Sequence, residues 1–126
     1  MQRRVEIVRA LICDPKILLL DEPFRALDAV SKALMHEYLL RLYDRTHKTI
    51  MFITHDVDEA VFLASHVFVM TTRPGRLKTL INIDLPRPRN IEDTASTRFL
   101  RHRQEIVALI GEEARKAFER GERELA

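Results

Sequence analysis

The chain has 126 residues and 46% hydrophobic content, which suits a single globular domain. Its net charge of +2 is too small to argue for nucleic-acid binding, although the segment 73–103 is locally basic and open to being a solvated face or a contact for anionic headgroups or a protein. The single cysteine, Cys13, excludes an intramolecular disulfide framework, no apolar run approaches the roughly 18–20 residues that span a bilayer, and Met1-Gln2-Arg3-Arg4-Val5-Glu6 leads into no signal-peptide core.

Taken in chain order, Val5, Val8, Leu11 and Ile12 recur at helical spacing and predict a helix over 1–13, stopped near Asp14-Pro15. Cys13 reads as a small buried residue on that helix. Ile17-Leu18-Leu19-Leu20 predicts a strand over 16–20, and so unbroken an aliphatic run suits a strand buried on both faces of a parallel sheet. The run meets Asp21, Glu22 and Pro23, and proline ends it. Two adjacent carboxylates therefore stand at a strand's carboxyl end, where open α/β sheets bind ligands. One is placed to organise a metal ion and the other to handle a water molecule. Read alone, the pair is also open to being solvated turn residues.

Asp28 can cap a helix running to about residue 45, with Val30, Leu34, Tyr38 and Leu42 at helical spacing. A second strand over 49–54 ends at His55-Asp56, and a short helix over 58–64 carries Val61 and Phe62. A third strand over 67–71 leads to Pro74-Gly75, which suits the centre of a type II turn into a strand over 77–83. Pro86 and Pro88 interrupt regular structure to about residue 94. A last amphipathic helix is predicted over 97–118, with Phe99, Ile106, Ile110 and Phe118 on its apolar face, before a charged end that frays. The alternation makes the fold class α/β. His36, His47, His66 and His102 form no coherent metal-ligand constellation and read as structural or exposed.

Gln2-Arg3-Arg4-Val5 leading into Ile7-Val8-Arg9-Ala10-Leu11, the aliphatic run ending in Asp21-Glu22, then Ala26-Leu27-Asp28 and Thr54-His55-Asp56 together resemble the ATP-binding cassette family. In that order they are similar to the helix after the signature loop, the Walker B strand, the D-loop and the switch histidine. The resemblance covers 1–118. Thr72-Arg73-Pro74-Gly75-Arg76 with Asp84-Leu85-Pro86-Arg87-Pro88-Arg89 is similar to the subgroup that energises nitrate, sulfonate and taurine-type importers. The resemblance implies a partial phosphate-loop (RecA-like) parallel sheet with flanking helices, its catalytic-core portion over about 1–72 and a hairpin, a Pro/Arg-rich connection and a helix over 73–126.

It also implies roles. Asp21 would hold Mg²⁺ through a coordinated water, Glu22 would orient or deprotonate the water that attacks ATP, and His55 would contact the γ-phosphate. A histidine at a strand end is otherwise open to a structural role. Asp28 would orient a loop crossing to a second cassette in a head-to-tail dimer, a role compatible with capping its helix. The implied partners are an integral-membrane permease, a second cassette and, indirectly, a solute-binding protein, with no nucleic acid. This places the protein at the cytoplasmic face of a membrane. Arg25 and Arg3 depart from the small residue and the glutamine usual at their positions in the subgroup.

Glycine occurs only at 75, 111 and 121, and none begins the G-x-x-x-x-G-K-[ST] pattern whose backbone N–H groups cradle phosphates. The family's Q-loop and Leu-Ser-Gly-Gly are missing too. The chain therefore reads as the downstream half of an ATP-hydrolysing importer subunit, lacking Walker A and inactive alone. Two alternatives stand beside it: a non-catalytic remnant that binds a permease or another cassette, and a non-transport cassette acting on DNA or the ribosome. Long coiled-coil or basic insertions would mark the last, and none is visible.

Overall fold

The computed structural model describes residues 2–125, without the side chains of Arg3 and residues 122–125. The expectations attached to Met1 and to the Arg3 side chain lie outside what is described. The elements are α1 (Gln2–Ile12), β1 (Ile17–Asp21), α2 (Ala29–Thr46), β2 (Thr49–Ile53), α3 (Val57–Leu63), β3 (His66–Met70), β4 (Leu77–Asn82), a 3₁₀ turn (Ile91–Ala95) and α4 (Thr97–Leu125). β1 and β2 pair in parallel, from Ile17 opposite Thr49 to Asp21 opposite Ile53. With α2 as the crossover they form a βαβ unit. β3 and β4 form a separate antiparallel hairpin, so no described strand joins β2 to β3.

Two apolar clusters hold these pieces. Ile7, Leu18, Leu20, Phe24, Met35 and Leu39 fill the space under the βαβ unit. Phe62, Val69, Ile81, Leu85, Phe99 and Ile106 are among the residues that join α3, the hairpin and α4. Leu63 packs against both.

Several apolar faces differ from expectation. Leu18 and Leu20 are buried, but Ile17 and Leu19 are 64% and 62% exposed. β1 is thus covered on one face, because strand side chains alternate and only the inward set meets a cluster. On α1 the buried stripe is Ile7 with half-buried Leu11, whereas Val5, Val8 and Ile12 are exposed. Cys13 follows the helix's last residue and is exposed, not buried. On α2 packing selects Met35, Leu39 and Leu40, with Tyr38 and Leu42 half-buried and Val30 and Leu34 exposed. On α4, Phe99 and Ile106 are buried while Ile110 and Phe118 are exposed. The α4 backbone stays helical through Leu125 instead of fraying from Glu119, since no proline interrupts a stretch rich in Glu and Arg, both good helix formers.

The β3–β4 turn is also different. The Arg73–Pro74 peptide is cis and Gly75 does not have positive φ, so this is not a type II turn. The Thr71 hydroxyl closes it by donating to Pro74 O (2.8 Å) and accepting from Arg76 N (2.9 Å).

The Arg-rich connection is largely spent inside the fold. Buried Arg89 donates to the carbonyls of Phe62 (3.1 Å), Ala64 (2.6 Å) and Leu85 (3.2 Å), tying the end of α3 to the chain after β4. Burial pushes its guanidinium down to about 10. Arg87 donates to Leu63 O at 3.0 Å and lies over the Tyr43 ring. His102 and Asp84 are 2.5 Å apart, His47 caps the end of α2 and His66 meets Ser65, which fits their reading as structural or exposed. No described helix is long and apolar enough to cross a membrane.

Candidate functional site

The parallel register sets Asp21 beside Ile53, so the residues after the two strands emerge together. Glu22 N donates to Ile53 O at 2.8 Å and carries the pairing one residue further. Its φ of 46° lies in the left-handed region, which is rare for a residue other than glycine. The chain then folds back through Arg25 N to Glu22 O (3.3 Å) and Leu27 N to Phe24 O (3.1 Å), with the Phe24 side chain fully buried. This turn delivers the Glu22 carboxylate to the loop after β2. His55 Nδ1 stands 2.6 Å from Glu22 Oε1. An ionised carboxylate only accepts, so Nδ1 carries the proton and Nε2 faces other chemistry. The His55 side chain is 69% exposed and that of Glu22 25%, so a ligand can reach both.

Behind His55 the loop is pinned by short-range hydrogen bonds. Asp56 N donates to Thr54 Oγ1 (3.0 Å), and Asp56 Oδ1 caps α3 by accepting from Glu59 N (3.2 Å). Lys32 Nζ on α2 lies 3.6 Å from Asp56 Oδ2. Glu22, Arg25, Lys32, His55, Asp56 and Glu59, with Thr54, line a small cleft of about 60 Å³.

Glu22 and His55, distant in sequence, are thus brought together. Asp21 stands exposed at the end of β1, outside the lining of that cleft. Asp28 also lies outside it and caps α2, with Oδ1 accepting from Ser31 N at 2.7 Å. That backbone hydrogen bond holds its carboxyl below the usual range. Among the described residues no group of three or more His, Cys, Asp or Glu side chains could hold a metal ion by itself.

Sequence reasoning missed Lys32 and Glu59 on the cleft wall. Lys32 stands four residues after the capping Asp28 and Glu59 three after Asp56, spacings that bring side chains of a helix's first turn together. His36, read as structural or exposed, is half-buried and meets Glu59, 23 positions away, at 2.5 Å.

No family model matches the chain. It is 46% identical over 117 residues to an uncharacterised ABC transporter ATP-binding protein of Methanocaldococcus jannaschii, covering 93% of this chain and 43% of the relative. It is 43% identical over 116 residues to a nitrate import ATP-binding protein of Synechocystis, covering 87% of this chain and 44% of the relative. An aliphatic sulfonates import ATP-binding protein of Bacillus cereus is 44% identical over 90 residues, covering 71% and 36%. The chain spans less than half the length of these relatives. Along most of its length the chain is therefore a homologue of ABC transporter ATP-binding proteins, nitrate and sulfonate importers among them.

Proposed function

We propose that this chain carries the water-handling and metal-binding carboxylates of an ATP-hydrolysing subunit that energises an importer of a small anionic solute such as nitrate or a sulfonate. The observation that carries the reading is the 2.6 Å approach of His55 Nδ1 to Glu22 Oε1 at paired strand ends. Phosphoryl transfer asks a protein to position groups and stabilise charge. Glu22 orients the attacking water and accepts its proton. His55, its Nδ1–H donated in a hydrogen bond to Glu22 and kept on the ring, presents Nε2 to the γ-phosphate. Phosphate oxygens are acceptors, so that contact requires a second ring proton, and the imidazolium then adds positive charge where the transition state needs it. Arg25 and Lys32 on the cleft wall have the sign that suits phosphates.

Mg²⁺ keeps several waters and is held by one or two carboxylates together with substrate phosphates, so the exposed carboxylate of Asp21 at the strand end fits it. When bound there, it would neutralise charge on the phosphates. Asp28 fixes the start of α2 and with it the loop that would meet a second cassette. The proposed partners are a membrane permease, a second copy of the cassette in a homodimer and, through the permease, a solute-binding protein. The permease would hold the subunit at the cytoplasmic face of the membrane.

No segment of the sequence has the phosphate-loop pattern, so the isolated chain with Mg²⁺ and ATP should release phosphate no faster than its Glu22→Gln variant. Fused to the part of the Synechocystis nitrate-import relative that this chain does not span, it should hydrolyse ATP. In that chimera Glu22→Gln should lower turnover by about 10²-fold or more, the scale of a general base, while ATP stays bound. His55→Ala should also reduce turnover severely. Wild-type turnover in a folded Glu22→Gln chimera would refute the reading.

A further inference from the structure

We infer that His36 is the positioning residue that sets the approach of His55 to Glu22. The inference rests on the reading of Glu22 and His55 as a working pair. His55 in that pair is 69% exposed, and ion pairs open to solvent are weak, so the pair alone does not fix its geometry. The constraint has to come from the scaffold beneath it.

The His36 ring, on α2, touches both segments that carry the pair. Its centroid is 5.6 Å from that of Phe24, two residues after Glu22, and 6.1 Å from that of Phe62 on α3. Its Nε2 is 2.5 Å from Oε2 of Glu59, four residues after His55 and on the wall of the same cleft. The side chains of His36 and Glu59 are only 13% and 4% exposed. A carboxylate so dry depends on the N–H that His36 donates, and without it Glu59 would have to turn toward water. α3 has seven residues and begins immediately after His55-Asp56, so a shift of Glu59 moves the His55 loop directly. On the other side, Phe24 is wedged between His36 and Phe52 of β2, whose ring centroid is also 5.6 Å away. One imidazole therefore indexes the turn after β1 against the helix after β2.

The test reads the C2-hydrogen exchange of each histidine, peptide by peptide, by mass spectrometry on the dilute 126-residue chain. Glu22→Gln takes the carboxylate from His55 and sets the size of the response at His55. His36→Ala should reproduce at least half of that change at His55 while His66 and His102 exchange as in the wild type. His36→Gln, which keeps a donor for Glu59, should restore most of the wild-type rate. A folded His36→Ala chain with wild-type exchange at His55 would overturn the inference. So would a change shared by all the histidines, or loss of the fold in both His36 variants, since each marks a general structural role. No nucleotide enters this readout. If His36→Ala moves His55 but the chimera hydrolyses no ATP, the ATPase reading fails and the positioning role stands.

Discussion

Glu22 at φ 46° makes a thermodynamic claim that can be separated from its chemistry. For an L-residue the left-handed conformation costs about 1–2 kcal/mol. Glycine escapes that cost but loses about 0.5–1 kcal/mol more backbone entropy on folding. Glu22→Ala and Glu22→Gly both delete the carboxylate and its pair with His55, so the difference between them isolates the backbone. Glycine should come out more stable by about 0.5–1 kcal/mol. At Arg25, in the same turn and without positive φ, the order should reverse, with alanine ahead by about 0.5 kcal/mol. Urea unfolding followed by circular dichroism on the dilute chain measures both pairs. With a slope of about 1–3 kcal/mol per molar urea, the Glu22 pair should separate by about 0.2–1 M in midpoint. Alanine at least as stable as glycine at position 22 would refute the argument. Neither variant should support turnover in the chimera, so the glycine variant would trade function for stability at the strained residue.

The strand-end placement of Asp21, Glu22 and His55 was legible because strand chemistry converts sequence into position. An aliphatic run ending in Asp21-Glu22-Pro23 and a β-branched run ending in His55 both put their polar residues at strand ends, and parallel pairing makes those ends adjacent. The Asp28 cap was legible for a similar local reason, its side chain bonding only three residues on. What stayed hidden depends on distant packing. No glycine marks the left-handed Glu22, whose N–H is bonded across to Ile53 O in a contact 31 positions away in sequence. Helical spacing on α2 fits a Val30/Leu34 stripe as well as the Met35/Leu39 stripe, and only the strands beneath choose between them. Ile17 and Leu19 show that a face needs covering, yet hydrophobicity says nothing of whether a cover is present. The Thr71 hydroxyl outweighed the Pro-Gly turn signal by bonding across the loop on both sides.

Two further predictions test charge and surface. Lys78 donates to Glu113 at 2.8 Å and, with a backbone N–H from Thr72, lowers the Glu113 carboxyl from 4.5 to about 2. A depressed carboxylate contributes stability that is present above the unfolded value and lost as pH falls from about 4.5 toward 2. Urea midpoints should therefore drop between pH 5 and pH 3, less steeply in Lys78→Met, and equal slopes would remove that pair from the acid sensitivity. The uncovered face of β1–β2 should make the lone chain self-associate. Ile17, Leu19, Met51 and Ile53 all point outward and are exposed, on a parallel pair of the kind normally covered on both faces. Partly removing four such side chains from water is worth on the order of 4–8 kcal/mol, enough to offset much of the entropy lost on association. Sedimentation at tens of micromolar should show dimers or larger species. The double variant Leu19→Lys with Met51→Lys, which charges two residues directly opposite each other in the register, should shift the chain toward monomer without loss of helical signal. A monomeric wild type would show that the bare face is too small to drive association. A double variant that unfolds would show that these side chains are part of the core, against their observed exposure.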